Sequence, residues 1–389
     1  FTKLAVLKRL RQGISQDEEM LSMFLDEARL AARLNHPNIV NTFEVGEDTQ
    51  GHFIAMEYLD GQPLSTIVRR MQKTEPFPLE YQLFVLNEVL TALHYIHELT
   101  DYDGTPLNIV HRDISPQNVF VTYAGQVKVM DFGVAKAESA SVETRAGVLK
   151  GKVTYMAPEQ ARGINVDRRA DLYAVGVMLW EAATKRRLWK GSDDLAVLTH
   201  LVSGAPVKTP KSVEPEVPDE LERIIMKALA PIAADRYASA VEFQTDLEAF
   251  MAETKVAAAS REIGRYLSEK FGNDRAEIRT AIESFIKSAP SETSQAAKVP
   301  ELAVKEASES VSQSVSVARM GPASTSGTAV GWSDAQARAR RGTIGAAIAV
   351  ALLAGGGLWF ATKKEPQKTE TSAAATSAPA PATSPQKAV

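Results

Sequence analysis

Polar residues that break apolar runs, recurring in one order along the first 251 residues, constrain this chain more than any other feature. Lys8 closes a strand-like run, Leu4-Ala5-Val6-Leu7-Lys8, and Glu27 interrupts the helical pattern Phe24-Leu25-Asp26-Glu27-Ala28. His111-Arg112-Asp113-Ile114-Ser115-Pro116-Gln117-Asn118 follows, then Asp131-Phe132-Gly133, then Ala157-Pro158-Glu159. Each alone is a weak signal, because a Lys on a strand is ordinarily a solvated edge residue and a tripeptide recurs by chance. Their order and spacing together are those expected of one machine.

The periodicity around them sets the architecture. A short strand leads into a helix over about 17 to 34, then strands over about 39 to 47 and 52 to 58 flank the polar turn at 47 to 51. Past Leu59 helices dominate: Leu83, Leu86, Leu90, Leu93 and His97 recur every three or four residues, as do apolar residues across 170 to 184. An apolar content of 44% supports a sizeable core and excludes a wholly disordered chain. A net charge of −4 offers no basic field for nucleic acid, which is not expected as a partner. With no Cys, disulfides, zinc ribbons and thiol nucleophiles are excluded, so any metal falls to oxygen ligands or to the six His.

On these residues, over 1 to about 251, the chain resembles the eukaryotic-like (Hanks-type) serine/threonine protein kinases of bacteria. The resemblance implies an α+β, two-lobed protein-kinase fold with a truncated N-lobe sheet and a mainly helical C-lobe. It implies transfer of the ATP γ-phosphoryl group to Ser/Thr hydroxyls of protein substrates. Because that reaction spreads negative charge over phosphoryl oxygens, catalysis is mostly positioning and charge stabilisation. By the match, Lys8 grips the α/β-phosphates and Glu27 holds Lys8. Asp113 accepts the substrate hydroxyl proton, while Asn118 and Asp131 supply oxygens to Mg²⁺ or, in its place, Mn²⁺. Met56, Glu57 and Leu59 belong to the gatekeeper and hinge that meet adenine. Phe132 and Gly133 complete the metal-binding tripeptide, Glu159 and Arg236 form a buried ion pair with an exposed pair as the alternative, and Asp171 holds the catalytic-loop backbone. His111 reads as a core histidine. Arg112 is the residue type that pairs with a phosphorylated activation loop, where Thr144, then Ser141 and Ser139, are the expected acceptors, with a homodimer as the expected partner for autophosphorylation.

Two departures from the family pattern stand out. No Gly-rich loop precedes Lys8, so the chain reads as an incomplete record of a longer protein, with a pseudokinase or scaffold as the alternative reading. Ser115 stands where such kinases usually carry Lys, and Lys152 where they carry Thr, which suggests that the two roles are exchanged between these positions.

Beyond 251, a helical extension over 252 to 287 places Ile263, Leu267 and Phe271 on one face, breaks at Gly272-Asn273, and resumes with Asp274 and Glu277 as an expected capping box. Residues 288 to 341 read as a flexible juxtamembrane linker. Residues 342 to 362 carry no charge and, at 1.5 Å per residue, give a helix about 31 Å long, the span of a bilayer core. They read as a single transmembrane helix ahead of a short Ala/Pro/Ser/Thr-rich tail, 363 to 389. The expected location is the cell membrane, single-pass, with the kinase domain in the cytoplasm where ATP is.

Overall fold

The computed structural model describes residues 3–10, 18–49, 51–72, 75–131, 153–288 and 314–320, all within one compact unit spanning 1–323. Phe132, Gly133, Ser139, Ser141, Thr144 and Lys152 lie outside the described residues, as do 342 to 362. Among the described residues no helix is long and apolar enough to cross a membrane.

A small antiparallel sheet forms the first lobe. Strand β1 (Lys3–Arg9) pairs with β3 (Gly51–Glu57), which pairs with β2 (Thr42–Asp48). Helix α1 (Glu18–Ala31) packs on one face of this sheet: Phe24 and Ala28 meet Ile54, Met56, Val40 and Leu10 in a separate small core. The second of the expected strands begins at Thr42 rather than near 39, because Ile39 bridges to Val129 and the Val40 N–H donates to the Val129 carbonyl (3.0 Å). Those two residues therefore join the lobes instead of extending the sheet.

The linker reading of 288 to 341 needs correction at one place. Ser314–Met320 forms β7, antiparallel to β1 with Lys8 opposite Val315, so the sheet runs β2-β3-β1-β7. The alternation Ser314-Val315-Ser316-Val317 has the period of a strand, and an edge of unpaired N–H and C=O groups templates such a segment.

The second lobe is helical. A three-stranded sheet of short strands, β4 (Gly61–Pro63), β5 (Val119–Thr122) and β6 (Val127–Val129), sits at the lobe junction. Below it lie α2 (Leu64–Met71), α3 (Leu79–His97), a single turn α4 (Pro158–Ala161), α5 (Arg169–Thr184), α6 (Asp194–Ser203), α7 (Asp219–Ala228) and α8 (Ala240–Glu253). Helix α5 is buried along nearly its whole length, with Trp180 donating its indole N–H to the Lys208 carbonyl (2.8 Å). Against it pack the apolar faces of α3 and α7, on which α8 packs in turn, which is why these helices carry Leu and Ile at helical spacing.

Two further helices, α9 (Ser260–Lys270) and α10 (Gly272–Ser288), close the unit. Ile263, Leu267 and Phe271 are fully buried in the main core. Asp274 does not cap α10 as expected. The helix already begins at Gly272, and the Asp274 carboxylate instead accepts two bonds from Arg70, which hold it below the usual carboxylate range.

Candidate active site

Alternation along β1 decides where Lys8 goes. Val6 and Lys8 share a face with Met56 and Ile54 opposite, the face on which α1 lies. Glu27 is three residues after Phe24 and one before Ala28, so anchoring α1 through those two aims Glu27 at the same face. The Lys8 Nζ donates to Glu27 Oε1 (2.5 Å) and to Asp131 Oδ1 (2.6 Å). Burial by itself would lower the ammonium's pKa, but the charges of Asp131 and Glu27 outweigh it and push it above the ordinary value. Lys8 is thus a cation held in place at the lobe junction. Glu27's carboxyl is raised, first by burial, with Lys8 opposing and Asp131 and Asp113 adding to the rise.

The loop 111–118 is fixed from beneath by one carboxylate. Asp171 accepts the main-chain N–H of His111 at Oδ2 and of Arg112 at Oδ1, both at 2.8 Å, while His97 Nε2 meets Oδ2 at 2.8 Å. This support has a purpose: Arg112 has φ 65° and Asp131 φ 54°, left-handed backbone that costs a non-glycine residue about 1–3 kcal/mol unless its surroundings impose it. Burial opposes ionisation of Asp171, but the bonds from His97 and the loop win and lower its pKa. Its stabilising contribution is therefore complete above the ordinary value of 3.8 and is lost as pH falls through the lower folded value. Asp171→Asn has only one acceptor atom for these donors. It is expected to lose about 1–3 kcal/mol near neutral pH, with the gap to wild type narrowing below pH ~4; urea titrations at several pH values check both.

His111 is fully buried, as a core residue. It donates Nε2–H to the Met130 carbonyl (3.3 Å) and accepts the Asp113 main-chain N–H at Nδ1 (3.3 Å). Asn118 Nδ2 donates to the Asp113 carbonyl (2.8 Å), and the Asn118 carbonyl accepts the Met130 N–H (2.9 Å). These bonds put Asp113, Asn118 and Asp131 side by side. They also commit the NH₂ end of Asn118 to the loop, so its amide oxygen is the end a cation would meet. One amide oxygen and one carboxylate suit Mg²⁺, which takes few protein ligands and completes its shell from water and phosphate.

At the expected hinge, Met56 is buried beside Leu59 and Met130. The Glu57 side chain turns back toward the second lobe, where Oε1 accepts from Lys128 Nζ (2.7 Å) and from the Asn41 N–H (2.8 Å); Lys128 also donates to the Ile39 carbonyl (3.1 Å). Sequence reasoning missed Lys128, although a buried Lys between Val127 and Val129 is the signal that would have found it. It also missed Tyr155, whose hydroxyl bonds Glu181 (2.9 Å), itself paired with Arg187 (2.8 Å), at the start of the described segment after 152.

Glu159 and Arg236 form the buried alternative, not the exposed one. The guanidinium makes two bonds to the carboxylate (2.7 and 2.8 Å), and donates to the carbonyls of Ala230 (2.8 Å) and Arg169 (3.1 Å).

The sequence pattern of the protein kinase domain matches residues 2–246. A tyrosine-protein kinase of Myxococcus xanthus, MasK, is 47% identical over 283 residues, 72% of this chain and 44% of the relative. The serine/threonine-protein kinase PrkC of Bacillus subtilis is 33% identical over 62% of this chain and 36% of its own length. The crystal structure of the Mycobacterium tuberculosis PknI kinase domain aligns with 63% of this chain and 85% of its own, at 27% identity and TM-score 0.47. The chain spans less than half the length of the curated relatives it matches. With the pattern covering well over half of its residues, this chain belongs to the protein kinase domain family.

Proposed function

We propose that this chain is an ATP- and Mg²⁺-dependent protein kinase that phosphorylates Ser/Thr hydroxyls of protein substrates in membrane-anchored signalling. The carrying observation is the Lys8 ammonium held by both Glu27 and Asp131 at the junction of the lobes, next to the loop that bears Asp113 and Asn118. In this reading Lys8 binds phosphate oxygens, Asp113 takes the acceptor proton, and Asn118 and Asp131 hold the metal. The metal, when bound, neutralises charge developing on the phosphates. The hinge at 56 to 59 takes adenine, and the uncharged stretch 342 to 362 anchors the chain with its kinase domain in the cytoplasm. Autophosphorylation at Thr144, Ser141 or Ser139, between two copies, would be read by Arg112.

A second acceptor class, tyrosine, is favoured by one finding: the 47% identical relative is named a tyrosine-protein kinase. Ser115 in the catalytic loop supports neither class, since the Lys usual in Ser/Thr kinases is missing there and the loop does not carry the usual tyrosine-kinase pattern either. Incubation with γ-labelled ATP and a mixed protein substrate, followed by phosphoamino-acid analysis, separates the readings. Phosphoserine and phosphothreonine are expected. Phosphotyrosine alone would transfer the assignment to the second reading, and nucleotide binding without any transfer would make the chain a pseudokinase.

A further inference from the structure

Helices α9 and α10 reach the hinge from outside the two lobes. Their seat is tight. A Cβ on Gly264 would lie 2.7 Å from the Tyr123 carbonyl oxygen, and one on Gly125, at φ +80°, 1.7 Å from that of Ser260, so only glycine fits at either contact. Tyr266 donates its hydroxyl to Met71 Sδ (3.3 Å) and meets Tyr81 edge-on at 5.4 Å. Arg70 of α2 pairs with Asp274 at 2.5 and 2.8 Å while its guanidinium covers the Phe271 ring at 4.3 Å.

Seated in this way, α10 presents Arg275 to Asp60, the residue after Leu59. The Asp60 Oδ2 accepts from Arg275 Nε (3.0 Å) and Nη2 (2.6 Å), with Arg279 3.8 Å away. The Arg275 guanidinium also lies over the Tyr123 ring at 4.7 Å, and Tyr123 donates its N–H to the Asp60 carbonyl (2.8 Å). Tyr58 and Leu59 therefore hang between two anchors: Glu57, held by Lys128, and Asp60, held by Arg275. An isolated exposed ion pair restrains little. Here the cation is stacked on a ring and carried by a helix whose own seat is sterically fixed, so the pair restricts where the hinge backbone can go.

We propose that the α9–α10 hairpin is a brace that pre-sets the hinge for nucleotide binding, with Arg275 as the positioning residue acting through Asp60. The proposal rests on the reading of 56 to 59 as the adenine-binding hinge. If the braced hinge is the binding-competent state, releasing it lowers the competent fraction and raises the apparent dissociation constant in proportion.

The test uses the full chain with Arg275→Ala, Arg275→Lys and Gly264→Val, the last prying α9 from the turn at Tyr123 without touching the ion pair. Binding is read with a fluorescent ATP analogue, turnover as KM for ATP against kcat, and hinge order as hydrogen exchange at amides 57–61. Arg275→Ala and Gly264→Val are expected to weaken analogue binding and raise KM by about 3- to 10-fold, with kcat moving less than about 2-fold and exchange at 57–61 faster. Arg275→Lys should fall between, keeping the charge but losing the stack. Unchanged affinity and hinge exchange in both Arg275→Ala and Gly264→Val would overturn the brace, even if the wild type transfers phosphate. Weakened binding with faster hinge exchange would support it, even if the wild type transfers none.

Discussion

Asp113→Asn is expected to cut phosphoryl transfer by ~10²- to 10⁴-fold, the usual contribution of a positioned general base. The substitution is nearly isosteric, and two bonds that tie this residue into the loop run through its main chain: the N–H to His111 Nδ1 and the carbonyl to Asn118 Nδ2. Those bonds survive in Asn, so the loop keeps its shape and the loss reports on the carboxylate itself. If the carboxylate acts on the acceptor proton in the transition state, kcat and kcat/KM fall together while analogue binding holds. Initial rates at saturating ATP, with the melting temperature as a folding control, check this. Transfer within about 3-fold of wild type would remove Asp113 from the chemistry, because no general base contributes so little.

The candidate site was legible because the proposed phosphoryl transfer demands particular groups at short, recurring spacings. Asp113 and Asn118 sit five residues apart on one loop, and Lys8 and Glu27 each interrupt an apolar period at a place where folding has no need of a charge. What holds them was less legible. His97 shows in the sequence as one more member of the apolar spacing on α3, yet its ring bonds Asp171, 74 positions away. Arg275 and Asp60 are 215 positions apart, and no local pattern marks either as a partner. Ile39 and Val40 look like the start of a strand because β-branched residues do, and only the tertiary bridge to Val129 takes them out of the sheet. Ser314–Met320 lies in a stretch poor in aromatics, where composition argued for a linker, while the local two-residue alternation argued for the strand that forms.

Arg236→Ala is expected to destabilise the chain by about 3–5 kcal/mol, the cost of leaving a buried charge without its partner. The side chain is 0% exposed and that of Glu159 only 7%, so water cannot take over for either. The guanidinium does more than neutralise Glu159: Nε bonds the Ala230 carbonyl, Nη1 the Arg169 carbonyl, and the group lies 4.9 Å from the Tyr173 ring on α5. Truncation therefore strands a carboxylate and two carbonyls together, and it does so where α4, α5 and the turn before α8 meet. Arg236→Lys should recover only part of the loss, since one ammonium cannot replace a fork that bonds both carboxylate oxygens. Glu159→Gln should cost less than Arg236→Ala, because the amide keeps an acceptor for the guanidinium. Urea denaturation of the three variants orders them, and a loss under ~1 kcal/mol for Arg236→Ala would place the pair among solvated ones. The same pair tethers Glu159, and with it the described end of the segment that follows Asp131, to the core helix α5. Loss of transfer in Arg236→Ala should thus track unfolding, whereas loss in Asp113→Asn should occur in a fully folded chain.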